Sequence, residues 1–187
     1  MSVKNILKTA IIFLGLDEIL LTNIFTDGGV SPTQAEQKTV DELVRCLNLV
    51  LEEIVTEYIP ITEEKEISFI NKKCKIEDID SLFCEAIKLH INGKNIPFIE
   101  RDNFIIADTS RASILYKKYP SEVAINSNLT FLNRKIAPRV IAYGVSMEYS
   151  FIHTLSDEGA IWEKRYRDGL TSACFTKKEK RLPRWRW

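Results

Sequence analysis

Any chemistry in this chain would have to begin with four cysteines and two histidines. Cys46, Cys74, Cys84 and Cys174 form no C-x-x-C pair, and only His90 and His153 could join them. A structural zinc needs thiolates and imidazoles clustered at short spacings, so this set predicts no metal centre. The cysteines read instead as reduced thiols packed among apolar side chains. A cysteine nucleophile needs a base within hydrogen-bond reach. Cys84 and His90 share a strand parity, but six residues place them about 20 Å apart along an extended strand. His153 reads as a structural or surface histidine. Ser110, Ser113 and Ser146 lack the G-x-S-x-G elbow that presents an activated hydroxyl. The acid pairs Glu52-Glu53, Glu63-Glu64, Asp78/Asp80 and Asp157-Glu158 read as solvated faces or helix starts. Gly28-Gly29 runs into Val-Ser-Pro with no lysine, so it is not a phosphate-binding loop. No catalytic residue, metal ligand or cofactor follows from these residues, and the chain reads as a non-enzyme.

One constellation is left, at the C-terminal end. Residues 177–187, Lys-Lys-Glu-Lys-Arg-Leu-Pro-Arg-Trp-Arg-Trp, hold six of the 26 basic residues and one of the 26 acidic ones. That tail therefore carries +5, and residues 1–176 carry −5. A solvated, disordered end is the bland reading of such a segment. Interleaved Arg and Trp are also what interface hot spots are made of. The same residues could grip nucleic acid, with Arg on phosphate and Trp on bases, or lie on a membrane surface. Docking onto another protein is the favoured reading, because exposed tryptophan is costly without a pocket to enter.

The elements that would position these residues follow from periodicity. Val3, Leu7, Ala10, Ile11 and Leu14 fall on one helical face. With Asp17 and Glu18 following at once and no small-x-small cleavage site, that run predicts an amphipathic helix retained in the protein rather than a signal peptide. A short second helix is expected over residues 17–25. Ser31 as N-cap, Pro32 at the first helical position and Gln34 completing a capping box predict the start of a long helix. Val40, Leu43, Val44, Leu47, Val50, Leu51, Ile54 and Tyr58 continue it to Pro60, about 27 residues and about 40 Å.

From Ile61 to about Asn128 the period changes to two. Ile67 and Phe69 alternate with polar residues, as do Ile87, Leu89 and Ile91. Asn92-Gly93 predicts a type I′ hairpin, and Pro97 places the returning strand at an edge or distorts it. Phe104-Ile105-Ile106 and Ile114-Leu115-Tyr116 are further strands. Helix resumes near Asn133 with Pro138 in its first turn, and Gly144, Ser146 and Ala142 form a smooth patch for close helix approach. Ser156-Asp157-Glu158 opens a final helix to about Phe175, antiparallel to the one before it.

The expected fold is therefore α+β, a bundle of long antiparallel helices from both chain ends with an inserted small antiparallel β region. The segments are 1–60 (N-terminal helices), 61–128 (β insertion), 129–176 (C-terminal helical hairpin) and 177–187 (docking tail). With 187 residues, 45% hydrophobic and 28% charged, the chain has the composition of a soluble globular domain. Long-range disorder, collagen, a disulfide-dense scaffold and a uniformly basic nucleic-acid binder are excluded. No stretch approaches the roughly 20 apolar residues needed to span a bilayer.

The C-terminal helices carry a resemblance. Pro138-Arg-Val-Ile-Ala-Tyr-Gly-Val-Ser-Met-Glu-Tyr-Ser, an acidic corner at Thr154-Leu-Ser-Asp-Glu, and Ala160-Ile-Trp-Glu-Lys-Arg-Tyr-Arg-Asp-Gly-Leu resemble the head–tail adaptor proteins of tailed bacteriophages. These are also called connector, head-completion or ring proteins and include the tubular-tail-protein type. The resemblance implies a structural virion protein at the head–tail junction, made in the bacterial host cytoplasm. Its partners would be the portal protein, neighbouring copies of itself in a ring (commonly twelve), and a tail or second-ring protein. Double-stranded DNA would pass through the channel without sequence-specific binding, and no membrane is involved. In the family the C-terminal segment often binds the portal, which carries over to Arg181, Leu182, Pro183, Arg184, Trp185, Arg186 and Trp187. The alternative is a nucleic-acid-binding module that uses the same basic tail.

Overall fold

The computed structural model describes residues 1–131 and 136–174. The chain forms two units, one of residues 1–47 with the described residues from Ile125 onward, the other of Asn48–Ala124.

In the first unit, helix α1 (Val3–Phe13) buries Val3, Ile6, Leu7, Ala10 and Ile11. This is the apolar stripe that its 3.6-residue spacing requires. Residues 17–25 do not form the expected helix. Asp17–Leu21 is a single 3-10 turn, and Thr22 bridges back to Val30. Helix α2 (Gln34–Glu53) starts three residues after Ser31. The box that closes its start is Thr33 with Glu36, not Ser31 with Gln34. Thr33 donates from its amide (2.6 Å) and hydroxyl (2.8 Å) to Glu36 Oε2, and the Glu36 amide donates to Thr33 Oγ1 at 3.3 Å. An ionised carboxylate at the third helical position accepts more strongly than an amide would. These bonds, the Thr33 amide first, hold the Glu36 carboxyl below its ordinary range.

The periodic run from Val40 does not continue as one α-helix to Pro60. It widens into a π turn at Ile54–Tyr58, where the Ile59 amide donates to Ile54 O at 2.8 Å.

Helix α4 (Pro138–Ile152) packs on both α1 and α5 (Ser156–Cys174). Pro138 occupies the start of α4, where its missing N–H costs nothing. Ala142, Gly144 and Ser146 are buried, as the smooth patch predicts, and two glycines of α5 also sit close to α4. A Cβ on Gly169 would stand 2.8 Å from Val140 Cγ2, and one on Gly159 would stand 2.6 Å from the Phe151 ring.

The second unit holds the short helix α3 (Ile76–Ile79) and seven strands: β1 (Ile61–Ser68), β2 (Lys73–Lys75), β3 (Phe83–Ile91), β4 (Lys94–Asn95), β5 (Ile99–Arg101), β6 (Phe104–Ile106) and β7 (Arg111–Lys118). They form a four-stranded antiparallel sheet, β1-β7-β3-β4, and a three-stranded one, β2-β6-β5. Asn92 (φ 49°) and Gly93 (φ 78°) make the expected turn between β3 and β4. Asp102 and Asn103, also at positive φ, turn β5 into β6. The core gathers Ile67, Leu89, Ile105, Ile114 and Tyr116. Tyr116 donates to Asp80 Oδ2 at 2.9 Å.

The expectation of long antiparallel helices bundled from both chain ends is overturned. The described helices are α1, α2, α4 and α5 of 11, 20, 15 and 19 residues, with the one-turn α3, and two sheets dominate the middle of the chain. The cause is local. The π turn ends α2 early, α1 is three turns long, and strands supply the second unit's core.

Candidate docking surfaces

In the first unit, three half-buried rings from three helices stack on one another. Phe13 closes α1, because Leu14 and then Gly15 (φ 67°) end that helix. Arg139 and Tyr143 lie four apart on α4, and Trp162 and Arg165 lie three apart on α5, so each pair shares a helix face. Ring centroids are 5.1 Å apart for Phe13–Tyr143 and for Phe13–Trp162, and 5.8 Å for Tyr143–Trp162, with planes inclined by 19°. Arg139 lies 5.9 Å from the Phe13 ring and 5.5 Å from Tyr143. Arg165 lies 5.9 Å from Tyr143 and 5.0 Å from Trp162.

Both arginines are exposed and the rings are half-buried. Beside them Ile161 is 55% exposed, and a cavity of ≈ 310 Å³ opens between Phe13, Gly15, Glu158 and Trp162. Ile12 is also 57% exposed. A second cavity, ≈ 550 Å³, is lined by Leu16, Asp17, Glu18, Ile19 and Glu36. Aromatic rings with arginine, flanked by bare isoleucine, have the composition of a protein interface core and not of a solvated helix face.

The second unit carries a different surface, on the sheet face opposite the core. Glu66, Ser113 and His90 stand in one cross-strand row, β1 to β7 to β3. His90 Nε2 is 2.9 Å from Glu64 Oε1. Its Nδ1 is buried with no hydrogen-bond partner among the described residues. A cavity of ≈ 380 Å³ opens here, lined by Glu66, Ser68, His90, Asn92, Arg111 and Ser113 among others.

The residues singled out for chemistry do not assemble. Cys46 is fully buried, and burial, with Glu148 and Glu42 nearby, pushes its thiol up to about 12. Burial likewise raises Cys74. Neither supplies a thiolate near neutral pH. His153 caps the end of α4, 3.2 Å from Glu42 Oε2, with its ring 4.2 Å from the Tyr149 ring. Among the described residues no three His, Cys, Asp or Glu side chains converge as metal ligands. No described helix is long and apolar enough to cross a membrane. The docking tail expected at Arg181, Leu182, Pro183, Arg184, Trp185, Arg186 and Trp187 lies outside the described residues.

Sequence reasoning missed the ring stack, the Glu64–His90 pair and the row containing Ser113. Spacing within α4 and α5 could have pointed to the Arg/aromatic faces. The His90 row was not readable, because bulges between Phe83 and Glu85 and between Ala86 and Lys88 reset the register of β3. Compared with known proteins, the chain matches no family model and no curated protein.

Proposed function

We propose that the chain is a structural, non-catalytic head–tail adaptor of a tailed bacteriophage. Copies of it ring the underside of the portal, continue the DNA channel and offer the tail its attachment platform. The observation that carries this reading is the arginine–aromatic face of α1, α4 and α5. Phe13, Tyr143 and Trp162 stack, half-buried, beneath the exposed Arg139 and Arg165. The two halves of the Trp-x-x-x-Tyr pattern have different places. Tyr166 is fully buried, while Trp162 belongs to the open face. An assembly protein needs both, one residue to hold the helix pair and one to meet a neighbour.

The net charge of −5 over residues 1–176 suits a wall around moving DNA, because it repels phosphate. The basic tail suits a docking segment that adds affinity once per copy, so that a ring gains avidity.

The test is capture by the portal of the virus that encodes the chain. Deleting residues 181–187 is expected to abolish capture and leave the melting temperature unchanged. Reversing Arg139 and Arg165 to Glu is expected to prevent ring formation with the circular dichroism spectrum intact. Wild-type capture by the deletion variant and wild-type rings from the double variant would overturn the reading.

A further inference from the structure

Strand β1 (Ile61–Ser68) is an edge. It pairs with β7 on one side and with no described strand on the other, and Thr62 to Glu66 are exposed. A long edge strand leaves a row of backbone N–H and C=O groups available to another strand. Its side chains restrict which strand. Three of its eight residues are acidic. Glu63 pairs with Lys118, Glu64 with His90, and Glu66 has no ion-pair partner among the described residues. Lys65, the one base, is turned to the core side, where its Nζ donates to the carbonyls of Asp78 and Ile79.

A second copy of β1 would set Glu64 and Glu66 against like charges, which opposes pairing. A strand with basic residues at alternate positions would set opposite charges there. The cavity beside Glu66 strengthens the preference. The carboxylate of Glu66, which has no ion-pair partner among the described residues, accepts donors, and a guanidinium supplies several in one plane. Arg111 lines the same cavity and opposes a second cation there.

The sequence contains one segment of that kind. In Leu182-Pro-Arg-Trp-Arg-Trp187, Arg184 and Arg186 alternate with Trp185 and Trp187, so an extended conformation puts both arginines on one face and both tryptophans on the other. Arg184 and Arg186 have the same two-residue spacing as Glu64 and Glu66.

We propose that the free edge of β1 receives residues 182–187 of a neighbouring copy as an added strand, with its arginines over Glu64 and Glu66 and one guanidinium in the cavity at His90. Backbone bonds to the edge supply affinity, and the alternating charges supply register, as in strand addition generally. The adaptor reading gives the same tail to the portal, so portal binding competes with this pairing.

The experiment is hydrogen exchange of the full-length chain, without portal, read by mass spectrometry at the amides of β1. Protection of β1 in the wild type is expected to fall on dilution and to be lost in an Arg184→Glu/Arg186→Glu variant. A synthetic peptide of residues 182–187 added to that variant is expected to restore it. Only alternate amides of an added strand face its partner. Of two N-methylated peptides, one blocked at Arg184 and Arg186 and the other at Trp185 and Trp187, one is therefore expected to act and the other to fail.

Equal β1 exchange in wild type and variant would overturn the proposal. So would restoration by both blocked peptides, which would mean charge attraction without strand pairing, and so would protection independent of concentration. None of these readings involves the portal, so failure here and failure of the adaptor reading are separable.

Discussion

The two units spend their aromatic side chains differently. In the strand unit Tyr116 is buried inside, stacked on Phe83 at 5.4 Å and bonded to Asp80, and Phe69 belongs to the same core. Of its exposed isoleucines, Ile70 falls at a turn and Ile99 on a short edge strand, while Ile87 and Ile91 lie on β3. In the helical unit Phe13, Tyr143 and Trp162 are gathered at the surface under two arginines. A strand sends alternate residues to opposite faces, so an apolar surplus is divided between core and solvent by parity. A helix has a continuous circumference, and apolar residues beyond the core stripe form a contiguous outer patch. The surplus on α1, α4 and α5 is therefore the side-chain surface that the proposed adaptor would offer to partners. The strand unit offers a backbone edge instead.

The sharpest way to break this contrast is to damage one core and watch the other unit's role. Ile114→Ala, at a fully buried position of β7, is expected to cost about 2–5 kcal/mol in chemical denaturation. Portal capture should persist wherever the variant remains folded. Gly169→Leu should cost about 1–3 kcal/mol by forcing α5 off Val140, and it should also weaken assembly because it moves Trp162 and Arg165. If Gly169→Leu assembles normally, the face does not depend on the helix pair.

Tyr116→Phe removes a donor from Asp80 and is expected to cost about 1 kcal/mol. Burial, helped by Asp80, raises the phenol above its ordinary value of 10. Its contribution is complete below pH 10 and is lost as pH rises beyond it. Asp80 runs the opposite way. The Leu82 amide first, then Tyr116 and the nearby lysines, hold its carboxyl below 3.8. That contribution is present above pH 3.8 and lost as pH falls through the lowered value. Melting curves of Tyr116→Phe against wild type should diverge least above pH 10; parallel loss at every pH would contradict the assignment. The smallest effect is Arg165→Gln, about 0.5–1 kcal/mol of stability, with a larger loss in portal affinity than in melting temperature.

Much of the fold was legible because it is locally encoded. The Asn92-Gly93 turn, Pro138 at a helix start and the buried stripe of α1 each follow from a few adjacent residues. The length of the helices was not legible. The apolar period from Val40 to Tyr58 is the same whether the last turn is α or π, and only the backbone bond from Ile59 to Ile54 decides it. Ile87 and Ile91 share the alternation of Leu89 with polar residues, yet they are 43% and 37% exposed while Leu89 is buried. The bulge between Ala86 and Lys88 breaks the alternation there, and no residue type announces it.

The candidate surfaces were less legible still. Phe13, Tyr143 and Trp162 are spread over 150 positions of sequence, and the Glu64–His90 pair crosses a third strand. The basic tail was visible as composition alone.

The measurement that bears most directly on the adaptor account is the native mass of the purified chain mixed with the portal of its own virus. The proposed adaptor is expected to form a complex holding about twelve copies per portal ring, the number that the resemblance to head–tail adaptors implies. A chain that stays monomeric and ignores the portal would contradict it.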